Sequence, residues 1–203
     1  MELGVFPNVT DALEIHVMFA AYFELRRPEV VGLKWSAIYF ERKTLMINHK
    51  IVPVNDNGTY TLYASNTLKN NTSYRTMPLD DSFYNYLVDL KAKQEENKKL
   101  YGKSYSKTYK DYVCVNDVGN LITPNYITKA FKRILEKNEM RVIRFHDLRH
   151  SSASLLLSLG YPMKNIQMWL GHSSFNTTAN IYAHIDASAK IEMVSGIAQE
   201  LSN

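Results

Sequence analysis

The chain has 203 residues, of which 45% are hydrophobic and 22% charged, and its formal net charge is +4. This composition suits a globular protein with one sizeable core, and the mild basicity permits a nucleic-acid partner without showing one. The single cysteine excludes a disulfide framework within the chain, which favours a reducing cytoplasm, and no apolar run approaches the ~18 residues that a membrane span needs.

The first part of the sequence predicts two helices. Residues 11–25 carry apolar side chains at helical spacing, and either Thr10 or Asp11 can cap their N-terminus. Pro28 opens a second, short helix over residues 28–33, because proline is tolerated in a first helical turn.

The hydrophobic period then changes to that of strands. The segments 44–47, 60–63 and 74–77 are β-rich and are separated by Asn, Asp and Gly, and residues 55–58 read Asn-Asp-Asn-Gly, a strong turn signal. We therefore predict one small antiparallel sheet over residues 38–78.

The second half predicts mainly helices. Cys114 lies in a short apolar run, residues 112–115, that predicts a buried strand with an inert thiol. Residues 91–110 hold seven lysines with interleaved tyrosines, which favours a solvated helix end and loop over a nucleic-acid-binding surface. Helices are predicted at residues 82–99, 124–137, 146–159, 162–170, 176–183 and 187–200. The fold class is thus α+β: a mainly helical domain with one small antiparallel sheet.

The residues that can carry chemistry are concentrated near the C-terminus. His146 and Arg149 are three apart on one predicted helix face, and His172 follows a Leu-Gly pair ten residues before Tyr182. A phenol can attack a phosphodiester as a nucleophile while Arg and His side chains neutralise charge on the phosphate oxygens. The set as a whole predicts phosphoryl transfer, although Tyr182 alone is one of 14 tyrosines and could be a half-buried aromatic.

His150 has other interpretations. It lies four residues after His146, a spacing that also suits a metal pair, but no Glu stands between them and Arg149 disfavours a cation there. A hydrogen-bonded structural histidine is the favoured reading of His150, and we predict no metal site.

The sequence resembles the tyrosine recombinases of the phage-integrase family. The C-terminal motifs of this resemblance are His-Asp-Leu-Arg-His-Ser at 146–151, Trp-Leu-Gly-His-Ser-Ser at 169–174, Thr-Thr at 177–178 and Ile-Tyr-Ala-His at 181–184. Residues 25–35 are similar to the first arginine box of the family, and residues 68–79 to its lysine-bearing hairpin. Two departures are Glu24, where the family usually has Gly, and Pro28, where a small or polar residue is more usual.

The resemblance implies roles for residues outside the C-terminal motifs. It places the first catalytic arginine at Arg26 and the acidic partner of that arginine at Glu29, with Arg27 as a bystander. It places the catalytic lysine, which protonates the leaving 5′-oxygen, at Lys69. His150 is expected to support the site without touching the substrate.

The resemblance also implies a mechanism and a fold, that of the DNA breaking-rejoining catalytic domain. Tyr182 attacks the scissile phosphate to form a 3′-phosphotyrosyl bond, with Arg26, Arg149 and His172 as phosphate donors and His146 as the proton acceptor. No metal or cofactor is implied, because guanidinium groups neutralise the charge.

As a whole, the resemblance implies a site-specific DNA recombinase or integrase that integrates or excises a mobile element. Residues 1–203 are expected to form one catalytic domain, without the core-binding and arm-binding domains that usually precede it in the family. The expected partners are double-stranded DNA and other protomers of the same recombinase, with no membrane, in the cytoplasm of a bacterium or a phage host. The apolar face of residues 187–201 predicts a tail helix that docks on a neighbouring protomer or, alternatively, folds back over Tyr182.

Three other functions remain compatible with the sequence. A DNA-binding relative without chemistry would use the same fold to hold a site. A type IB topoisomerase would share the chemistry without exchanging strands. A regulatory interaction module would need neither DNA cleavage nor the catalytic set.

Overall fold

The computed structural model describes residues 11–66 and 74–171 of the chain. Several sequence predictions fall outside these residues. They concern Lys69, His172, Tyr182, the helices at 176–183 and 187–200, and the tail at 187–201.

The described part of the chain forms six α-helices and five β-strands. The helices are α1 (Asp11–Tyr22), α2 (Arg27–Gly32), α3 (Asp81–Tyr101), α4 (Pro124–Lys137), α5 (Asp147–Ser158) and α6 (Met163–Leu170). The strands are β1 (Ile38–Tyr39), β2 (Thr44–Ile47), β3 (Lys50–Asp56), β4 (Thr59–Ser65) and β5 (Arg75–Pro78). Within this part, no helix is both long and apolar enough to cross a bilayer.

Helix α1 is the centre of the domain. From residue 13 to residue 20 its side chains are buried around the helix, except for the partly buried Glu14, as expected for a helix enclosed by other elements, and it contacts α2, α4 and α5. It ends at Tyr22, three residues earlier than predicted, because Glu24 adopts the left-handed conformation with φ of 53° and turns the chain. This early end places residues 24–26 at the mouth of the site described below.

The prediction of a single sheet was wrong. Strands β1, β2 and β5 form one antiparallel sheet in the order β1-β2-β5, whereas β3 and β4 form a separate two-stranded hairpin. The hairpin is an insertion between β2 and β5, whose buried residues Leu45 and Met77 pair directly. An alternating pattern shows which residues share a face, but it does not show which strands pair.

The turn predicted within the hairpin is confirmed. Asn57 and Gly58 both have positive φ, at 49° and 88°, and the side chain of Asn55 accepts a hydrogen bond from the Gly58 amide at 3.0 Å. The base of the hairpin packs tightly on α2, since a Cβ atom at Gly32 would lie 2.6 Å from the Cα of Lys50. Only glycine allows this close approach, which fixes α2 against β3.

The burial of Cys114 was predicted correctly, but the strand predicted around it was not. Tyr112 and Val115 make only single bridges, to Lys34 and Leu121. The short turn closed by the Val115 amide on the Val113 carbonyl prevents a continuous ladder.

The tyrosines among the lysines are partly structural. Tyr105 is buried and Tyr109 packs against the core formed by α1 and α4. The Tyr105 ring is therefore not available as a nucleic-acid-stacking surface, and the Tyr109 ring is available only in part.

Candidate active site

Five charged side chains converge where the α1–α2 junction meets β5 and α5. We call them the buried charge cluster: Glu24, Arg26, Glu29, Arg75 and Arg149. Four of them are buried, and Arg26 is the most exposed member, with 26% of its side chain accessible. Burying this much charge is costly unless the charges are paired or bind an anion, so the cluster is the candidate functional centre.

Arg26 and Glu29 form the outer pair of the cluster. Arg26 stands at the N-cap of α2, and Glu29 accepts hydrogen bonds from its backbone amide at 2.9 Å and from its Nη1 at 2.8 Å. The spacing of three residues makes both bonds geometrically natural at a helix start. Glu29 thus holds the Arg26 guanidinium at the solvent side of the cluster.

Arg149 is the inner cation, with 3% of the residue exposed. Its Nη1 donates to the backbone carbonyl of Glu24 and its Nη2 to that of Leu170, so the side chain ties α5 to the α1–α2 junction and to the end of α6. Burial lowers the pKa of Arg149, and the charges of Arg26 and Arg75 lower it further, while Glu29 opposes the shift. Arginine nevertheless remains protonated at neutral pH, so Arg149 is a fixed positive charge in a fixed orientation.

The charge of Arg26 is one of those that lower the pKa of Arg149, so the two predicted catalytic arginines share one electrostatic neighbourhood. Arg26 and Arg149 are 123 positions apart in the sequence. They meet because α1 packs on both α2 and α5. Two guanidinium groups in one cluster can bind separate oxygens of one phosphate.

His146 and His150 lie on the first turn of α5, with His146 at the N-cap and their rings edge to face at 5.1 Å. Partial desolvation lowers the pKa of His146 below its usual range, and the charges of His150 and Arg149 lower it further. A neutral imidazole at neutral pH can accept a proton, which fits the predicted role of His146.

A cavity of about 460 Å³ opens beside the cluster. Its lining is Arg26, Arg27, Pro28, Thr128, Arg144, Phe145 and His146. Both the first predicted arginine and the predicted proton acceptor therefore face one basic cavity. Arg27, predicted as a bystander, donates to the Thr128 hydroxyl at 2.6 Å and so ties α2 to α4.

The rim of this cavity is built differently from its interior. Arg144 is 82% exposed and binds Asp147, which accepts from the Arg144 backbone amide and from its Nη2, both at 2.9 Å. This local pairing lowers the pKa of Asp147 and closes the turn that starts α5. The pair lies at the exposed rim and brings no charge into the interior cluster.

Two members of the cluster were not predicted as site residues. Arg75 donates to the Phe23 carbonyl at 3.4 Å and lies 3.7 Å from Glu29. The signal in the sequence was its register, because Arg75 shares a strand face with the buried Met77. Glu24 was noted only as a departure from the usual glycine, although its position between the apolar Phe23 and Leu25 indicated burial.

The remaining predicted site residues lie outside residues 11–66 and 74–171: Lys69, His172 and Tyr182. The described chain ends at Gly171, whose left-handed conformation (φ 63°) caps α6 as predicted. Among the described residues, no group of three His, Cys, Asp or Glu side chains could hold a metal ion.

The chain belongs to the phage integrase family, whose model matches residues 8–189. Among curated proteins, it is 32% identical over 197 residues to a tyrosine recombinase XerC-like protein of Caldanaerobacter subterraneus, an alignment that covers 92% of this chain and 50% of that protein. It is 27% identical over 175 residues to the ICEBs1 integrase of Bacillus subtilis, covering 83% of this chain and 44% of the integrase. The chain thus spans about half the length of the curated relatives it matches first.

Solved structures show the same fold. The Tn1549 transposon integrase in complex with transposon right-end DNA superposes with a TM-score of 0.70 at 19% identity, covering 95% of this chain and 62% of that one. The XerH recombinase bound to its difH substrate before cleavage superposes with a TM-score of 0.57 at 21% identity, covering 93% and 49%. The α+β fold predicted from the sequence is confirmed, with two small sheets in place of one.

Proposed function

We propose that this chain is the catalytic domain of a tyrosine-type site-specific recombinase that cleaves and rejoins double-stranded DNA through a 3′-phosphotyrosyl intermediate. The observation that carries the proposal is the meeting of Arg26 and Arg149 in one charge cluster beside an open basic cavity. Family membership supports the reaction class.

The scissile phosphate binds at the cavity beside the cluster. Arg26, held by Glu29, and Arg149, held by two backbone carbonyls, donate to its non-bridging oxygens. Because both arginines are fixed before substrate arrives, they stabilise the extra charge of the pentavalent transition state with little reorganisation. His172 supplies a further donor.

The Tyr182 oxygen attacks phosphorus, so that an O–P bond to tyrosine forms as the bond from phosphorus to the 5′-oxygen breaks. His146 accepts the phenol proton, which its lowered pKa permits near neutral pH. Lys69 gives a proton to the departing 5′-oxygen. The 5′-hydroxyl of a second DNA end reverses these steps and exchanges strands, and the energy of the phosphoester is kept throughout.

The physiological role is integration or excision of a mobile element in the bacterial or phage-host cytoplasm. The likeness to the ICEBs1 and Tn1549 integrases supports this role. Further protomers of the recombinase assemble on the same DNA, and the tail at residues 187–201 is the segment proposed to dock on a neighbour. Residues 1–203 act as one catalytic unit.

A nicked suicide duplex tests the proposal. Its sequence is taken from the junctions that flank the coding region. A nick close to the cleavage site lets the short fragment with the new 5′-hydroxyl diffuse away, so that the covalent complex accumulates. The wild type is expected to form a protein–DNA adduct that survives denaturation. Tyr182→Phe is expected to bind the duplex but form none. An adduct that persists in Tyr182→Phe would refute the assignment.

A second substrate isolates the role of Lys69. Sulfur in place of the bridging 5′-oxygen gives a leaving group that needs no proton, so this duplex is expected to restore cleavage to Lys69→Ala. Lys99→Ala, at an exposed position of α3, serves as the lysine control and is expected to cleave both duplexes like the wild type. Failure of the sulfur duplex to rescue Lys69→Ala would move the proton donor elsewhere.

A further inference from the structure

Glu24 is the least explained member of the buried charge cluster. The residue is fully buried, and neither carboxylate oxygen has a hydrogen-bond partner among the described residues. Its backbone is left-handed, with φ of 53°, a conformation that a glycine adopts without cost. The buried carboxylate without a partner and the left-handed backbone each cost folding free energy, so we expect this side chain to have a function.

The charges around Glu24 define what that function can be. Arg149 of α5 and Arg75 of β5 are the cations that act on its carboxylate, while Arg26 and Glu29 of α2 belong to the same cluster.

The remaining neighbours add little charge. The cavity on its other side is lined by Tyr22 at the end of α1, by Ser152 and two leucines of α5, and by the uncharged Trp169 of α6. Burial raises the pKa of Glu24 to about 7 despite the two arginines, so its charge changes within the physiological range.

We propose that Glu24 is a positioning residue whose ionisation weakens, and whose protonation strengthens, the hold of Arg149 on the scissile phosphate. With both carboxylates ionised, three arginines face two negative charges and the cluster carries +1. When Glu24 takes up a proton the cluster carries +2, and the arginines have one fewer internal anion to neutralise. Phosphate binding and protonation of Glu24 therefore favour one another.

The backbone of the same residue supports this coupling. The Glu24 carbonyl accepts the hydrogen bond from Arg149 Nη1, so the group that orients the guanidinium and the group that sets its electrostatic surroundings belong to one residue. The inference rests on the proposed function only in taking Arg149 as a phosphate ligand.

Inorganic sulfate is the probe, because it remains a dianion over the tested pH range and requires neither the target DNA sequence nor Tyr182. Its affinity is measured from the NMR shifts of the Arg149 and Arg26 Nε–H groups at about pH 5.5 and about pH 8.5. We expect the affinity for sulfate to fall between these two pH values. If sulfate raises the Glu24 pKa by about one, this fall is about tenfold larger in the wild type than in Glu24→Gln. His146 is present in every protein compared, so its own titration cancels.

Glu139→Gln is the matched control. Glu139 has the same φ of 53° but is exposed and is not a member of the cluster, so this variant is expected to follow the wild type. A second measurement uses the wild type alone and so does not depend on the folding of any variant. The carboxyl carbon resonance of Glu24 is expected to titrate at higher pH when sulfate is present.

The outcomes separate the two proposals. An equal pH dependence in the wild type and Glu24→Gln, or a Glu24 titration that sulfate does not move, would overturn the coupling while leaving the phosphate site intact. Sulfate that leaves both arginine resonances unmoved would instead remove the phosphate site itself, and the inference with it.

Discussion

Arg149 and Arg144 lie five residues apart around the first turn of α5, yet they have opposite surroundings. Arg149 is 3% exposed and is held by carbonyls of Glu24 and Leu170, which belong to two distant segments. The Arg144 side chain is 82% exposed and, among the described residues, is held only by Asp147, three residues away. One cation is fixed by the tertiary fold, and the other by its own turn.

The contrast indicates that charges in the interior and charges at the rim have different roles. Charges in the interior act in a low-dielectric setting and cannot relax, so each is expected to matter to both catalysis and stability. Charges at the rim are screened by water and contribute mainly local geometry. The predictions below test this division, beginning with the largest effect.

Arg149→Lys is expected to reduce the rate of DNA cleavage by about 10²–10³, the scale for loss of one preorganised oxyanion donor. Lysine keeps the charge but cannot donate to the Glu24 and Leu170 carbonyls and to phosphate at once. Single-turnover cleavage of the suicide duplex measures the loss. Arg144→Lys is the rim control, and a comparable loss in that variant would contradict the division.

Glu24→Gln is expected to change how stability depends on pH. The folded-state pKa of about 7 lies above the ordinary value of 4.5, so the wild type is relatively most stable below about pH 4.5 and loses stability as pH rises through 7. Thermal unfolding from about pH 5 to pH 8.5 is expected to show a relative loss of about 2.5 kcal/mol in the wild type against Glu24→Gln. Parallel stability curves for the two proteins would mean that Glu24 does not titrate in this range.

Arg75→Met is expected to lower the free energy of unfolding by about 2 kcal/mol, less than the usual cost of breaking a buried ion pair, because Glu29 keeps Arg26. Denaturant unfolding measures it. Lys98→Met, which removes the exposed pair between Lys98 and Glu95, is the control and is expected to unfold at the wild-type midpoint. If Arg75→Met also unfolds at the wild-type midpoint, the interior cluster needs only one arginine to pair with Glu29.

Asp147→Asn is expected to have the smallest effect, below about 1 kcal/mol in stability. The variant keeps an oxygen for the Arg144 amide and loses only the exposed ion pair. Its cleavage rate is expected to stay within a few-fold of the wild type. A loss as large as that of Arg149→Lys would show that the rim turn, and not the interior, positions His146.

Local features of the fold were predictable from sequence, and long-range ones were less so. The Asn57–Gly58 turn and the Gly171 cap depend on a few adjacent residues and were predicted correctly, and the starts of α1 to α6 lie within one residue of their predictions. The division into two sheets was missed, because pairing of β2 with β5 depends on contacts across the inserted hairpin.

The same distinction holds for the site. Arg26 and Glu29 were assigned through the resemblance to the family, and their spacing of three residues suits the pairing that the structure shows at the start of α2. Arg75 and Glu24 could not be assigned to the site in this way, because their roles depend on what packs against them. The backbone carbonyl of Glu24 accepts a hydrogen bond from a guanidinium 125 residues away, and no local pattern encodes that contact.

Locating the covalent bond tests the central claim most directly. The adduct from the suicide duplex is trimmed with nuclease and digested, and peptide mass spectrometry identifies the tyrosine that carries the residual 3′-nucleotide. The account predicts that, of the 14 tyrosines, Tyr182 alone carries it, and that Arg149→Lys greatly lowers its yield at early times. A nucleotide on another residue, or a yield unaffected by Arg149→Lys, would contradict the account.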